Sequence, residues 1–249
     1  MTFDFSGRVA LVTGAATGIG AATAQALASS GASVGLVGLQ PDALAAVEKA
    51  IVAAGGRALS VAADVADPAQ IEKAVNEVVT TLGGLDLAVN NAGVAARHSL
   101  VHETAFEDWR ATLAVNLDGV FLSMKYELAH MVAQQRGAIV NVASVNTITP
   151  LPRGGAYTAS KHAVLGLTES AALDYAATGI RLNVVSPGVT DTPMVAAGGA
   201  AATMAKSLVP MGRMARPEEI AAAILFALSD DASYLQGSHI VVDGAFVLR

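Results

Sequence analysis

Residues 9–20 read VALVTGAATGIG, in which an apolar run leads directly into a glycine-rich turn. The run Val9–Thr13 predicts a buried β-strand, and Gly18–Ser30 predicts the helix that follows it. The glycines of the turn, spaced GxxxGxG, let the backbone approach a pyrophosphate whose charge the helix N-terminus stabilises. The stretch therefore predicts a strand–turn–helix unit that binds a dinucleotide, with an ordinary strand-to-helix turn as the alternative.

The same alternation of short apolar runs and longer helical patterns continues along the whole chain. It is typical of βαβ units and of a parallel sheet covered on both faces. Strands are predicted at Val9–Thr13, Ser33–Val37, Arg57–Ala62, Leu85–Asn90, Ala138–Val142, Arg181–Val185 and His239–Val242. Helices are predicted at Gly18–Ser30, Asp42–Ala54, Pro68–Leu82, Phe106–Gln135, Ala156–Ala177 and Pro217–Leu228. We expect one α/β domain over residues 1–249, with a mobile substrate flap at about residues 193–211.

The composition excludes several classes of protein. A chain of 249 residues is long for one domain and short for two, and one large core is the expectation. The net charge of −6 argues against a nucleic-acid partner, and zero cysteines exclude disulfides, thiolate nucleophiles and Cys-ligated zinc. Because only 14% of the residues are charged, some helix faces are expected to meet other subunits of a homo-oligomer.

The segment from Val9 to Pro41 has no charged residue and is long enough to span a membrane. Its glycines divide it into short pieces, so it is interpreted as strand, turn, helix and strand, and no membrane partner is expected. The N-terminal sequence MTFDFSGR has no apolar signal-peptide core. This predicts a cytoplasmic protein.

Further motifs follow the glycine turn in a fixed order: Asn90-Asn91-Ala92-Gly93, Ser144, Tyr157-x-x-x-Lys161 and Pro187-Gly188. The combination resembles the short-chain dehydrogenase/reductase family, in its shorter form, over essentially the whole chain. The resemblance implies a Rossmann-type doubly wound domain with a seven-stranded parallel sheet, and a homotetramer. It also implies the cofactor NAD(P)(H) and the interconversion of a small-molecule alcohol with a ketone or aldehyde by hydride transfer.

The resemblance assigns cofactor contacts residue by residue. The pyrophosphate loop is matched by Gly14, Gly18, Ile19 and Gly20, the adenine contact by Asp64 and Val65, the adenosine-ribose loop by Asn91, Ala92 and Gly93, and the nicotinamide segment by Pro187, Gly188, Thr190 and Thr192. Asp64 could instead only cap the end of its strand, and Asn90 is interpreted as structural.

The end of the second strand departs from the family pattern. An acidic residue there would bind the ribose 2′-hydroxyl of NAD, and an arginine would bind the 2′-phosphate of NADP. This chain has Gly38 and Leu39, and Thr17 occupies a second position that is often basic in NADP users. An unpaired phosphate should cost more than one missing hydrogen bond, so we lean slightly towards NAD, with use of NADP left open.

Tyr157 and Lys161 lie four residues apart on a predicted helix and therefore share a face. An adjacent ammonium group is expected to lower the pKa of the tyrosine hydroxyl from its usual value of about 10. The resemblance implies that Ser144 hydrogen-bonds the substrate oxygen, that Tyr157 transfers the proton, that Lys161 also binds nicotinamide ribose hydroxyls, and that Asn116 shapes a water-linked proton path to the lysine. No metal is expected, and His98 and His102 are interpreted as a solvated pair.

Substrate selectivity is expected to come from residues 94–100 and 145–155 and from the flap. Arg153 could face a substrate carboxylate or be a surface residue. An apolar pocket wall is suggested by Ile148, Leu151, Met194, Val195 and Met204, which predicts a largely apolar alcohol or ketone. The alternatives are a 3-oxoacyl-carrier reductase, with a basic patch at Lys206, Arg213 and Arg216, and a nucleotide-sensing Rossmann protein without turnover.

Overall fold

The computed structural model describes residues 3–196 and 207–248. Its seven strands form one parallel sheet in the order β3-β2-β1-β4-β5-β6-β7. They are β1 (Val9–Thr13), β2 (Ser33–Gly38), β3 (Arg57–Ala62), β4 (Leu87–Asn90), β5 (Gly137–Val142), β6 (Ile180–Pro187) and β7 (His239–Val242). The prediction of a seven-stranded parallel sheet in a single domain is confirmed.

The helices connect successive strands and begin where the sequence provides start signals. They are α1 (Gly18–Ser29), α2 (Pro41–Ala53), α3 (Pro68–Leu82), α4 (Phe106–Leu113), α5 (Gly119–Gln134), α6 (Gly155–Tyr175), α7 (Pro193–Ala196) and α8 (Pro217–Leu228). Pro41, Pro68 and Pro217 occupy first-turn positions, where a missing N–H costs no helical hydrogen bond. The Asp67 carboxylate caps α3 by accepting from the amides of Ala69 and Gln70.

The predicted helix over Phe106–Gln135 is helical from Phe106 to Gln134, but it is not α-helical throughout. A π-helical segment, Ala114–Asp118, separates α4 from α5. Such a segment inserts an extra residue into the helical turn, and in proteins it occurs frequently at functional sites. Here it contains Asn116, which is fully buried.

Two apolar cores cover the two faces of the sheet, because alternate strand residues point to opposite sides. In β1, Val9 and Leu11 belong to the core beneath α3, α5 and α6. Ala10 and Val12 belong to the core beneath α1, α2 and α8. Residues of strands and helices from both ends of the chain contribute to the two cores, so the described residues form a single folded unit.

The strand order places a crevice at the centre of the sheet. The chain builds β1, β2 and β3 outward in one direction and then returns to place β4 on the other side of β1. At such a switch point the connections after neighbouring strands diverge, and ligands of open α/β sheets bind at the carboxyl ends of the strands there. The motifs that follow β1, β4, β5 and β6 all end at this edge of the sheet.

The predicted flap lies partly outside the described residues, which omit 197–206. Its first part forms the short helix α7, Pro193–Ala196. Among the residues that are described, no helix combines the length and the apolar character needed to cross a lipid bilayer.

Candidate active site

A cleft of about 370 Å³ lies at the carboxyl ends of the strands, over the switch point. Its volume falls within the usual range of small-molecule sites, about 300–1,000 Å³. The residues predicted to contact the cofactor line this cleft with the exception of Gly20; they are Gly14, Thr17, Gly18, Ile19, Gly38, Leu39, Asp64, Val65, Asn91, Ala92, Gly93, Tyr157, Lys161, Pro187, Gly188, Thr190 and Thr192. Ser144 lines it as well.

The glycine turn is shaped to admit an anion at the N-terminus of α1. Gly14 and Gly18 have positive φ values of 64° and 56°, which residues with a side chain rarely adopt. The N-cap residue Thr17 makes no side-chain capping bond, and the first turn of α1 has no acidic residue. The amide groups at this helix end are therefore free of a side-chain acceptor, and the helix dipole favours a negative group there.

Gly20 is needed for packing inside the turn. A Cβ atom at this position would overlap the carbonyl oxygen of Gly14 and would lie 2.6 Å from Asn91 Nδ2. The glycine therefore allows α1 to pack closely against the end of β1, and the structure places it behind the cleft surface.

Asn91 fastens the loop after β4 to the glycine turn. Its side-chain Nδ2 donates to the carbonyl oxygens of Thr13 at 3.1 Å and Gly14 at 3.2 Å. The Thr13 hydroxyl in turn accepts from the amides of Asn91 and Ala92, both at 3.1 Å. These bonds hold together the two loops at which the strand order reverses.

Asp64 caps the turn after β3 and also lines the cleft. Its Oδ1 accepts from the amide of Ala66 at 2.9 Å, as a cap for the turn after β3. The same residue lines the cleft beside Val65. Capping the turn therefore holds the carboxylate in place at the cleft wall.

The end of β2 offers no charged partner to a ribose. Gly38, Leu39 and Gln40 line this end of the cleft, and 67% of the Leu39 side chain is exposed. Among the described residues that line the cleft, the sole cation is Lys161, which lies beside Tyr157 at the opposite end.

Ser144, Tyr157 and Lys161 converge at that opposite end. Ser144 follows β5, and its hydroxyl forms a hydrogen bond with Tyr157 that stabilises the ionised phenol. Lys161, one turn along α6 from Tyr157, places its Nζ 5.8 Å from the centre of the tyrosine ring. The Nζ donates to the carbonyl oxygen of Val142 at 2.9 Å.

The prediction that the pKa of Tyr157 is lowered is wrong for the protein without bound ligand. Burial raises the pKa of the tyrosine hydroxyl above its usual value of 10.0, and the Ser144 hydrogen bond offsets only part of this effect. Burial also lowers the pKa of Lys161 to about 8, because an ammonium group is costly to remove from water. Tyr157 is therefore in its proton-donating form at neutral pH.

Asn116 acts on the loop that borders the cleft. Its Oδ1 accepts from the amide of Val94 at 2.8 Å, and its Nδ2 donates to the carbonyl oxygen of Val94 at 3.0 Å. A Cβ atom at Gly93 would lie 3.3 Å from Asn116 Oδ1 and 3.7 Å from Lys161 Nζ. The π-helical segment therefore brings Asn116 beside Lys161, although its side chain bonds the backbone of Val94.

Support for Ser144 comes from residues that the sequence analysis did not assign to the site. The Thr147 hydroxyl donates to the carbonyl oxygen of Ser144 at 2.7 Å. His239 Nε2 lies 2.7 Å from Ser186 Oγ and 3.4 Å from Thr147 Oγ1. The side chains of Ser186, His239 and Thr147 thus connect β6 and β7 to the Ser144 loop. No local sequence motif predicts this contact.

The larger apolar side chains of the cleft include Val94, Met194 and Val195, whereas the predicted wall residues Ile148 and Leu151 lie outside its lining. Met204 is outside the described residues. Arg153 is also outside the lining, and its guanidinium group lies 3.9 Å from the Glu103 carboxylate.

The two histidines of the loop after β4 lie on the protein surface. His98 and His102 are both exposed, and His102 lies 3.9 Å from Glu103. Within residues 3–196 and 207–248, no group of three or more His, Cys, Asp or Glu side chains is placed to hold a metal ion.

Comparison with known proteins gives matches along the whole chain. A family model described as "Enoyl-(Acyl carrier protein) reductase" matches residues 14–246. The cyclohexanol dehydrogenase of Acinetobacter sp. (strain SE19) is 45% identical over 100% of this chain and 98% of its own. The cis-4-hydroxycyclohexanecarboxylate dehydrogenase of Sinomonas cyclohexanicum is 45% identical over 97% of each chain.

A solved structure shares this fold over the whole length of both chains. It is a putative NAD(P)-dependent gluconate 5-dehydrogenase from Beutenbergia cavernae with bound NADP at low occupancy, and it is 36% identical, with a TM-score of 0.94 and 100% of both chains covered. Since the family model and the relatives both extend over nearly every residue, the chain belongs to the short-chain dehydrogenase/reductase family and is an oxidoreductase that acts on alcohols and ketones.

Proposed function

We propose that this oxidoreductase interconverts small, neutral, cyclic secondary alcohols and their ketones. The observation that carries the proposal is the position of the Ser144 hydroxyl and the Tyr157 phenol on the wall of the cleft that Val94, Met194 and Val195 also line. A hydroxyl or carbonyl oxygen bound there would meet two hydrogen-bonding groups, while its carbon ring would meet apolar side chains. Relatives named for cyclohexanol and for hydroxycyclohexanecarboxylate support a cyclic substrate.

The cleft fits a nicotinamide dinucleotide. We infer that the uncapped end of α1 holds the pyrophosphate, that Asp64 and Val65 contact the adenine, and that the loop Asn91–Gly93 contacts the adjoining ribose. The segment with Pro187, Gly188, Thr190 and Thr192 would hold the nicotinamide end. When bound, such a cofactor accepts or supplies the hydride at its nicotinamide ring.

Side chains of this protein then position the substrate oxygen and transfer its proton. Ser144 positions the substrate oxygen by a hydrogen bond, and Tyr157 donates its hydroxyl proton to that oxygen during ketone reduction. During alcohol oxidation, the ionised Tyr157 accepts the proton of the substrate hydroxyl. Lys161 holds α6 against β5 and presents its ammonium group beside the ring of Tyr157, where a positive charge favours the ionised phenol.

We propose a preference for NAD over NADP. The described lining at the end of β2 has no arginine or lysine that could pair with a 2′-phosphate. Leu39 and Gln40 are uncharged, so they also provide no repulsion that would exclude NADP. The preference should therefore be modest, which is compatible with the bound NADP in the related structure.

A neutral substrate is favoured over a carboxylate. Lys161 is the one cation among the described lining residues, and its Nζ is bonded to the Val142 carbonyl oxygen. Arg153 is directed to Glu103 at 3.9 Å. A substrate carboxylate would therefore lose its hydration without gaining a partner, which is costly.

The basic patch expected for an acyl carrier protein is partly neutralised, because its two described arginines share the Glu219 carboxylate. Arg213 bonds both carboxylate oxygens of Glu219 at 2.7 Å, and Arg216 lies 3.5 Å from the same carboxylate. Lys206, the third residue of that patch, is outside the described residues. A 3-oxoacyl-carrier reductase is therefore less well supported than an alcohol dehydrogenase of small substrates.

We propose that the chain assembles as a homotetramer. Large apolar side chains lie exposed on its helices; among them are Phe106 (68%), Phe121 (51%) and Leu173 (81%). Exposed apolar surface of this kind marks subunit contacts. Light scattering at micromolar concentration should return about four times the chain mass of 25.0 kDa, and a monomer mass would contradict the proposal.

The proposed function is tested by comparing substrates of one ring size. Cyclohexanol and cis-4-hydroxycyclohexanecarboxylate are assayed with NAD and with NADP by the absorbance of the reduced nicotinamide. We expect kcat/KM for cyclohexanol to exceed that for the carboxylate by at least about tenfold. This factor corresponds to the free-energy cost of burying one carboxylate without a hydrogen-bond partner. Equal or greater activity on the carboxylate would contradict the neutral-substrate proposal. Cofactor binding without turnover across a panel of alcohols and ketones would favour the nucleotide-sensing alternative.

A further inference from the structure

Glu127 is a fully buried carboxyl group that the proposed reaction does not use. It lies on α5, and its Oε2 accepts from Asn90 Nδ2 at 3.0 Å. Among the described residues, its Oε1 has no hydrogen-bond partner. A buried carboxylate with one neutral donor and no cation is costly, so its presence inside the core calls for a function or a neutral form.

The hydrogen bonds that begin at Glu127 cross four elements of the fold. Asn90 Nδ2, at the end of β4, also donates to Asn141 Oδ1 of β5 at 3.0 Å. Asn141 Nδ2 donates to Thr168 Oγ1 of α6 at 2.8 Å, and the Thr168 hydroxyl donates to the Val164 carbonyl oxygen at 2.7 Å. All four side chains are buried. We call Glu127, Asn90, Asn141 and Thr168 the buried polar network.

Each of these four elements carries one part of the candidate active site. The residue after Asn90 is Asn91, which begins the loop bound to the glycine turn. Strand β5 leads to Ser144, helix α6 carries Tyr157 and Lys161, and α5 continues from the π-helical segment with Asn116. The buried polar network therefore joins β4, β5, α5 and α6 to one another in the interior of the protein. The same four elements position the residues of the candidate active site.

The hydrogen-bonding inventory favours an uncharged Glu127. Glu127 Oε1 and Asn90 Oδ1 are both buried acceptors without a donor among the described residues. A carboxylate adds acceptors only, whereas a carboxylic acid supplies one O–H donor. In agreement, burial raises the pKa of Glu127 from 4.5 to about 7.

The surroundings of Glu127 offer no charge that would stabilise its ionised form. Strands β4 and β5 contribute only uncharged side chains, and Lys161 of α6 is bonded to the Val142 carbonyl oxygen. The buried face of α3 is apolar, and the charged residues of that helix, Glu72, Lys73 and Glu77, are exposed. On α5 itself, Lys125 is exposed and His130 bonds Asn76 of α3 at 3.1 Å.

We propose that Glu127 is a positioning residue, whose uncharged carboxyl group holds β4, β5, α5 and α6 in the arrangement that the cofactor loop and the catalytic side chains require. The inference rests on the proposed active site and extends it to a residue that does not touch the cleft. Ionisation of Glu127 then loosens the buried polar network, which weakens cofactor binding as the pH rises past neutrality.

Three variants separate positioning from a general effect on stability. Glu127→Gln keeps the shape and supplies an N–H donor in place of the acid O–H. Glu127→Leu removes the hydrogen bonds and keeps an apolar bulk. Leu128→Ala removes a neighbouring buried side chain of the same helix without touching the buried polar network. The dissociation constant of NAD, measured by calorimetry, and kcat are compared at a temperature at which every variant is folded.

We expect Glu127→Leu to weaken NAD binding and to lower kcat, each by about tenfold, the effect of about one lost hydrogen bond. Leu128→Ala should lower the thermal midpoint and leave both constants within about twofold of wild type. Glu127→Gln should retain both constants at pH 6 to within about threefold. Between pH 6 and pH 8 its NAD binding should weaken less than that of wild type, and the weakening that remains comes from Lys161, whose pKa is about 8. The NAD-binding measurements stand independently of turnover, so a failure of the proposed reaction would not obscure this result.

The proposal is overturned if Glu127→Leu binds NAD and turns over as wild type does, or if Glu127→Gln loses as much as Glu127→Leu. Should Glu127→Leu fail to fold, the comparison of wild type with Glu127→Gln decides alone. The same dependence of NAD affinity on pH in these two proteins would then overturn it.

Discussion

The Nζ of Lys161 donates a hydrogen bond to the carbonyl oxygen of Val142 at 2.9 Å, which fastens helix α6 to the last residue of β5. Ser144 follows Val142 by two residues, so this bond links the helix that carries Tyr157 to the strand that leads to Ser144. The bond also supplies an acceptor to the buried ammonium group, which would otherwise lose its hydration without gaining a partner. Lys161 thus has a structural role beside its proposed contact with the cofactor.

Replacing Lys161 by alanine should damage cofactor binding and turnover together. The change removes a charged donor from the cleft and leaves the Val142 carbonyl oxygen buried without its partner. Hydrogen bonds to charged groups contribute about 1.5–3 kcal/mol, so we expect NAD affinity to fall by roughly 10- to 150-fold. Fluorescence titration with NAD measures this, and Lys125→Ala, which removes an exposed lysine of α5, is the matched control. Unchanged NAD affinity in Lys161→Ala would contradict the proposed ribose contact.

The two directions of the reaction should respond oppositely to pH. Burial raises the pKa of Tyr157, so the hydroxyl remains protonated through neutrality. Ketone reduction uses the protonated form, and its rate should fall at alkaline pH. Alcohol oxidation uses the ionised form, and its rate should increase as the pH rises from about 7 towards 10, the usual pKa of tyrosine. Initial rates in both directions at saturating cofactor test this, and parallel profiles would exclude Tyr157 as the titrating group.

Leu39→Arg should shift the cofactor preference towards NADP. The side chain lies exposed at the end of β2, so an arginine there can reach a 2′-phosphate without disturbing the core. We expect the ratio of kcat/KM with NADP to that with NAD to increase by about tenfold or more, from one charge-assisted hydrogen bond. Leu39→Gln, which adds polarity without charge, is the control. If both variants shift the ratio equally, the charge is not responsible.

Glu127 should also make the free energy of unfolding depend on pH. Its pKa is about 7 in the folded protein and 4.5 when exposed, so the folded state holds a proton that the unfolded state releases. The contribution of the protonated Glu127 carboxyl to the free energy of unfolding is therefore fully present below about pH 4.5 and is lost as the pH rises through about 7. The shift corresponds to about 3 kcal/mol. Denaturant unfolding should show Glu127→Gln gaining stability relative to wild type across this interval, and no relative gain would contradict a buried neutral acid.

Much of this fold is encoded in local patterns. The strand ends and helix starts are marked by apolar runs and by residues such as Asp67 and Pro68, which act within one helical turn. The edge of the sheet that carries the site could be expected because Gly14, Asn91 and Ser144 each follow an apolar run. Parallel strands bring such residues to one edge.

Other features depend on contacts that are distant in sequence. The π-helical segment around Asn116 has no signature in the apolar pattern, which predicts a regular α-helix over the whole segment. Glu127 lies between a tyrosine and a leucine in a helical pattern that suits a surface acid, and its burial depends on Asn90 in another element. The spacing of Tyr157 and Lys161 predicts a lowered tyrosine pKa, whereas the burial that raises the pKa of Tyr157 is visible only in three dimensions.

The central claim, that Tyr157 transfers the proton of an alcohol and ketone oxidoreductase, is tested most directly by Tyr157→Phe. Tyr175→Phe, a half-buried tyrosine of the same helix, is the control. Turnover of cyclohexanol with NAD and the dissociation constant of NAD are measured side by side for wild type and both variants. We expect Tyr157→Phe to lose turnover by about 10²- to 10⁴-fold while it still binds NAD, since positioned acid–base groups contribute rate enhancements of this size. A Tyr157→Phe protein that turns over cyclohexanol at the wild-type rate would contradict the account.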